Sequence, residues 1–268
     1  MNNLTKSILA SALALVFAGC FGSHPQVETH PANAKEIKAA HAAKHGADHE
    51  LNWSYETYYG PSNWDKFSPT CGEGHAQSPI NIIPGKTVSM NHEYDLHLHE
   101  DIHTTATIID NGHSLKVTPK EGGTLELNGE TFKLLQFHFH GKSEHTIDGK
   151  RYALVVHMVH QNVETKQLAV VAVLFEEGEA NSVVETAIYN VGSTNVSIDP
   201  QDLLPKDTAH YYHYVGSLTT PPCSENVQWY ILKQPQTASK EQIEEMRSFY
   251  IGNERPVQEI YSRKIEAN

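Results

Sequence analysis

Gln136-Phe137-His138-Phe139-His140-Gly141-Lys142 decides how this chain folds. Leu134-Leu135 precede it, and aromatic and polar residues then alternate, which is the period of a β-strand. Side chains two apart on a strand share a face. Gln136, His138 and His140 therefore point one way, and Phe137 and Phe139 the other. Two imidazoles about 6.6 Å apart along one face can converge on a metal ion if a neighbouring strand adds a third ligand. His157 is the candidate, in the β-forming run Tyr152-Ala153-Leu154-Val155-Val156-His157-Met158-Val159-His160. Asp148-Gly149-Lys150 lies between the two runs and suits a hairpin-like return. Three neutral nitrogens leave the fourth position of a tetrahedral zinc open for water, which is the pattern of a catalytic site. A single strand histidine is more often a core or surface residue than a ligand. The second at i+2, the third on the next strand and the flanking Ser143-Glu144-His145 shift the balance toward metal.

Together with these residues, other segments make the chain resemble the α-class carbonic anhydrases, in particular exported bacterial members. They are Ser143-Glu144-His145-Thr146, Gln77-Ser78-Pro79-Ile80-Asn81-Ile82, Asn111-Gly112-His113 and Ser217-Leu218-Thr219-Thr220-Pro221-Pro222-Cys223-Ser224-Glu225. The matching segments run in order from about Trp53 to Arg255. The resemblance implies a mainly β single domain with a large central, mostly antiparallel sheet and a few short helices. It implies reversible hydration of CO₂ to bicarbonate and a proton by a zinc-activated water, with zinc on His138, His140 and His157. It assigns Thr219 and Glu144 to orienting that water, His113 to shuttling the proton, and Tyr55 to the polar network near Glu144. It places Val159, Val170, Leu218, Thr220, Val227 and Trp229 around the CO₂ pocket. Without it, each apolar member of that set reads as a core residue. Gln136 fits as the acceptor for the outer N–H of His138. Cys71 and Cys223 match a disulfide of bacterial members, and such relatives are often homodimers.

One position departs from the family. A glutamate usually stands two residues before the third ligand, where it takes the outer proton of that histidine. Here the residue is Val155, which accepts nothing. His157 is therefore expected to be less firmly oriented, or to bond a water or another group, at a cost typical of a lost outer partner, about 10–100-fold in metal affinity or activity.

The 268 residues allow one or two domains, and one β-rich domain of this size is ordinary. Formal net charge is −12, which argues against nucleic acid and anionic membrane surfaces as partners and reads as solubility. No internal repeat or nucleotide-binding glycine pattern is present. Residues 1–19 read as a secretory signal, with Lys6 as the basic region and Ile8 to Ala18 as the apolar region. Leu15-Val16-Phe17-Ala18-Gly19-Cys20 resembles a bacterial lipoprotein signal cut before Cys20, although Phe17 fits that pattern poorly. Lipid on Cys20 would explain an odd count of three cysteines in a chain bound for the periplasm; ordinary cleavage nearby is the alternative. Residues 20–50 are polar, rich in Ala and Lys, and carry five histidines, which reads as a flexible linker before a domain over 51–268. Two alternatives to the enzyme remain: a non-catalytic binding module on the same fold, and a periplasmic zinc-binding protein that uses the histidine-rich linker.

Short strands are expected at Asp95–His99, Thr104–Asp110, Ser114–Thr118, Thr124–Leu127, Thr131–Phe139, Ala153–His160, Leu168–Phe175 and Asn226–Leu232. Asn111-Gly112 and Asn128-Gly129 are turn signals. One helix is expected, Ser239 to Tyr250. Ser239 and Gln242 there form a capping-box pattern, and Ile243, Met246, Phe249 and Tyr250 form an apolar stripe.

Overall fold

The computed structural model describes residues 53–90, 96–100 and 102–268. The expected signal over 1–19, Cys20 and the expected linker over 20–50 lie outside the described residues. The strands run β1 (Asn81–Ile82), β2 (Val88–Ser89), β3 (Leu96–His99), β4 (Thr104–Asp110), β5 (Leu115–Pro119), β6 (Thr124–Leu127), β7 (Glu130–His140) and β8 (Thr146–Ile147). They continue with β9 (Leu154–Asn162), β10 (Leu168–Glu177), β11 (Val196–Ile198), β12 (Tyr211–Ser217), β13 (Glu225–Leu232), β14 (Gln236–Ala238) and β15 (Glu266–Ala267). Three α-helices are described: α1 (Thr70–Glu73), α2 (Ser182–Tyr189) and α3 (Lys240–Phe249).

Thirteen strands form one sheet. Its main path is β11-β4-β5-β7-β9-β10-β13-β12-β15-β2, with β14 beside β10 and β6 joining β3 to β7. Nine of its twelve pairings are antiparallel; β10 with β13, β10 with β14 and β15 with β2 are parallel. The mainly β, mostly antiparallel architecture expected from the sequence is therefore the one observed.

The central strands are buried on both faces and sort their side chains by alternation. Ala169, Val171, Val173 and Phe175 of β10 join Val156 and Met158 of β9 in one core, which α2 and α3 cover through Val183, Val184, Ala187, Ile188, Ile243, Met246 and Phe249. Val170, Ala172 and Leu174 face the other way, with Val155, Val159, Tyr214, Val227 and Trp229. The site lies on this second face.

One irregularity puts the histidines there. β7 pairs Leu134 with His160 but Gln136 with Val159, so Leu135 is an extra residue, a β-bulge. Before the bulge, the even positions Phe132 and Leu134 face the helix-covered core; after it, the odd positions Phe137 and Phe139 do. Without this phase change His138 and His140 would point into the apolar core. Leu135, the inserted residue, is left 42% exposed. The sequence reading treated this strand as regular, although the adjacent Leu134-Leu135 already broke the alternation.

The turns follow their residue types. Asn128 and Gly129, both at positive φ, close the β6–β7 hairpin, where Leu127 faces Glu130. Asp148 and Gly149 also have positive φ, but they turn the chain locally between Ile147 and Lys150, within the longer β7–β9 connection that holds β8. Ser239 caps α3 with the expected capping box. Several short elements have no counterpart in the sequence expectations, and neither do two longer ones, α2 and β12. α2 carries Val183-Val184, a β-favouring pair, yet Asn181 caps it by accepting from both of their N–H groups. β12 is buried on both faces at most of its positions and so shows no alternation in sequence.

Candidate metal centre

Strands β7 and β9 place His138 directly opposite His157. One nitrogen from each of His138, His140 and His157 lies within 4.8 Å of the other two. His140 and His157 are 1% exposed, and His138 opens onto a cleft. Outer contacts decide which nitrogen each ring turns inward. His138 Nδ1 meets Gln136 Oε1 at 2.9 Å, the partner expected from the sequence. His140 Nδ1 meets the backbone carbonyl of Asn253 at 2.6 Å. An acceptor on each Nδ1 puts the proton there and leaves Nε2 as the ligand atom. Nε2 of His140 and Nδ1 of His157 lie 3.5 and 3.8 Å from the same Glu144 oxygen, so His157 turns its Nδ1 to the shared point.

The donor set fits a metal ion. His140 Nε2 is buried with no hydrogen-bond partner among the described residues, which suits a ligand atom. Burial first, then the neighbouring imidazoles, holds His138 and His157 well below the usual histidine pKa, so both rings are neutral and free to coordinate. Neutral imidazoles suit zinc, and the group that could hold it among the described residues consists of these three histidines, with Glu144 outside it.

Glu144 is fully buried, and burial raises its pKa against the opposing pull of His140, the Thr219 hydroxyl and Arg255. Its Oε1 accepts the Arg255 N–H at 2.8 Å. Thr219, 5% exposed, stands on the loop that follows β12. The expected disulfide joins Cys71 to Cys223 at the end of that loop, with 5.1 Å between the Cα atoms. Gln77 Nε2 donates to the Cys223 carbonyl and Ser68 Oγ to that of Pro222, which fixes the loop further.

A cavity of 140 Å³ opens beside the histidines, lined by Trp53, Tyr55, His113, His138, His140 and Thr220 among others. The His113 ring stacks on Trp53 at 3.7 Å and 15°. The Tyr55 hydroxyl is buried without a hydrogen-bond partner among the described residues, and burial, followed by the charge of Glu144, keeps its pKa well above the ordinary value. Across the sheet, Val159 pairs with Val170 and Val170 with Trp229. The Trp229 ring lies 4.9 Å from that of His157, and Leu218 packs against the same apolar cluster as Val227. Tyr55, His113, His138, His140 and Thr220 thus line one cavity, and Val159, Val170, Leu218, Val227 and Trp229 share one apolar cluster.

Two residues were missed. Asn253, 1% exposed, ties four residues together: its side chain accepts from Gly141 N and donates to the carbonyls of His113 and Phe139, while its own carbonyl takes His140 Nδ1. Arg255, 2% exposed, sends its guanidinium to Gln77, to Ser78 and to the carbonyl of Cys71, and its backbone N–H to Glu144. Both contacts to the site use backbone atoms, which carry no side-chain signature.

Fold and site together define a class: a wide β-sheet enzyme scaffold with a three-histidine metal centre. The family model for eukaryotic-type carbonic anhydrases matches residues 59–268. A carbonic anhydrase of Pectobacterium atrosepticum is 40% identical over 230 residues, covering 82% of this chain and 92% of its own. One from Neisseria gonorrhoeae is 36% identical over 239 residues, covering 84% and 90%. The solved structure of the α-carbonic anhydrase of Thermovibrio ammonificans, in complex with the inhibitor sulfanilamide, superposes with a TM-score of 0.74 at 36% identity, covering 82% of this chain and all of that one. This chain belongs to the α-carbonic anhydrase family.

Proposed function

We propose that the protein is an exported, zinc-dependent carbonic anhydrase that interconverts CO₂ with bicarbonate and a proton. The observation that supports this most is the convergence of three imidazoles within 4.8 Å beside a buried carboxylate. His138, His140 and His157 would hold the ion. Bound there, zinc makes water acidic enough to act as a nucleophile at neutral pH, an effect for which carbonic anhydrases are themselves the reference case.

The chain's own residues aim and serve that water. Ionised Glu144 can only accept, and it takes the Arg255 N–H. A hydroxyl that faces it must donate to it, so Thr219 is left with an acceptor oxygen toward the cavity, which sets the direction of the water's proton. CO₂ is apolar and needs no charged clamp. Val159, Val170, Leu218, Val227 and Trp229, one continuous apolar cluster, offer it a dry wall, with Thr220 at the cavity edge. His113 carries the released proton outward, since an imidazole gains and loses protons near neutral pH. Residues 1–19 would direct export to the periplasm, with Cys20 as a lipid anchor and 20–50 as a tether; the Cys71–Cys223 disulfide is compatible with that oxidising compartment.

The test is CO₂ hydration by stopped flow on the parent and on His140→Ala. Hydration above background in the parent alone is expected. Equal rates in the two proteins would reject the proposal.

A further inference from the structure

Besides the ligand atom of His140, two buried imidazole nitrogens at the metal centre have no hydrogen-bond partner among the described residues: Nε2 of His157 and Nδ1 of His145. His145 is wholly buried and His157 is 1% exposed. Their ring centroids are 6.2 Å apart, and both rings lie against Trp229, at 4.7 and 4.9 Å. The two nitrogens do not bond directly. Val155, on the face of His157 and two residues earlier, is fully buried and has no polar atom to offer either of them. An unmade hydrogen bond at a buried polar atom is costly, so two such atoms near each other point to a partner between them.

The proton count supplies one. With Nδ1 of His157 on the metal, its Nε2 carries the ring's proton and can only donate. Nε2 of His145 lies 2.7 Å from the Tyr214 hydroxyl, which lies 2.7 Å from Ser78 Oγ. Ser78 Oγ also accepts the Ser217 N–H at 3.0 Å. A neutral His145 has one N–H and one lone pair. If the proton sits on Nε2, it donates to Tyr214, and Tyr214 donates to Ser78. The lone pair on Nδ1 is then free to accept on the side of His157. The opposite tautomer would turn a second N–H donor toward that of His157, with no lone pair of His145 on that side.

We propose that His145 is a positioning residue for the third metal ligand, and that one buried water accepts from His157 Nε2–H and donates to His145 Nδ1. The neutral run His157–water–His145–Tyr214–Ser78 then orients the ring whose outer nitrogen meets no carboxylate. A buried water is held where at least two polar partners converge, and these two nitrogens provide them. The inference rests on the reading that His157 binds zinc.

The test uses the intact zinc-loaded protein. Histidine ¹⁵N–¹H correlation spectra report the tautomer of each ring, metal analysis of the same sample reports zinc, and a chelator chase reports its dissociation rate. One zinc per chain, His145 protonated on Nε2, and a rise of about 10-fold in zinc dissociation in Tyr214→Phe are expected. One zinc with His145 protonated on Nδ1 overturns the inference and leaves the metal site intact, as does an unchanged dissociation rate in Tyr214→Phe. A protein that takes up no zinc overturns the metal site itself. The tautomer is read on the parent, so the inference stays testable should Tyr214→Phe fail to fold.

Discussion

The backbone N–H of Arg255 donates to Oε1 of Glu144 at 2.8 Å, deep inside the protein. The same arginine anchors its side chain on Gln77, Ser78 and Cys71, and Cys71 is bonded to Cys223 at the end of the Thr219 loop. The carboxylate and the threonine it is proposed to direct are thus fixed to one frame. Glu144→Gln would place an N–H where only an acceptor serves. We expect zinc content to stay at one per chain while kcat/KM for CO₂ hydration falls about 10–100-fold, as for loss of a supporting hydrogen-bond partner. Stopped-flow rates on a metal-matched sample check this, and an unchanged rate would remove Glu144 from the mechanism.

The bulge at Leu135 sets which face carries the histidines. Deleting Leu135 restores a regular strand and turns either the histidines or Phe132 and Leu134 the wrong way. The deletion is expected to abolish zinc uptake. Leu135→Lys keeps the bulge at an exposed position and should change stability by no more than about 0.5 kcal/mol. Metal analysis and urea unfolding separate the two. Zinc uptake by the deletion variant would show that the bulge is dispensable.

Val155 leaves His157 without a direct acceptor. Val155→Glu supplies a carboxylate, and charge-assisted hydrogen bonds are roughly twice as strong as neutral ones. Zinc dissociation into a chelator should slow by about 10-fold. An unchanged off-rate in a folded variant would mean that the departure from the family is silent.

Acid should weaken the metal-free protein in a defined window. Burial, then neighbouring positive charge, lowers the pKa of His145 to about 3 and those of His138 and His157 well below the usual value. A histidine depressed in the folded state binds its proton first in the unfolded chain. Its contribution is full above the unfolded pKa of about 6.5 and is lost as pH falls below it, at up to about 1.4 kcal/mol per pH unit for each ring. Glu144, raised by burial, acts with the opposite sign as pH rises above the ordinary carboxylate range. Three rings outweigh one carboxyl, so unfolding free energy should fall between pH 6.5 and 5. Urea titrations of the chelated protein across that range measure it; a flat profile would contradict the neutral assignment.

Much of this was legible in the sequence because strands write their faces in a period of two. Gln136, His138 and His140 against Phe137 and Phe139 gave the ligand face of β7, and Asn128-Gly129 gave the hairpin that leads into it. The glycine- and serine-punctuated ends of β4, β6 and α3 fell where expected. What escaped has physical reasons. A bulge changes phase without changing composition. β12 is buried on both sides, so its tyrosines do not alternate with polar residues. Asn253 and Arg255 reach His140 and Glu144 across more than a hundred residues through backbone atoms. The missing acceptor at Val155 was visible in the chain, but the orphaned nitrogen of His145 beside it was not.

The most direct measurement is metal content and CO₂ hydration on one purified sample, before chelation, after it, and after zinc is returned. One zinc per chain, activity lost with the ion and regained with it, is the predicted result. A protein that hydrates CO₂ equally well with His138, His140 and His157 stripped of metal, or that holds zinc through a fourth side chain with no room for water, would contradict the account.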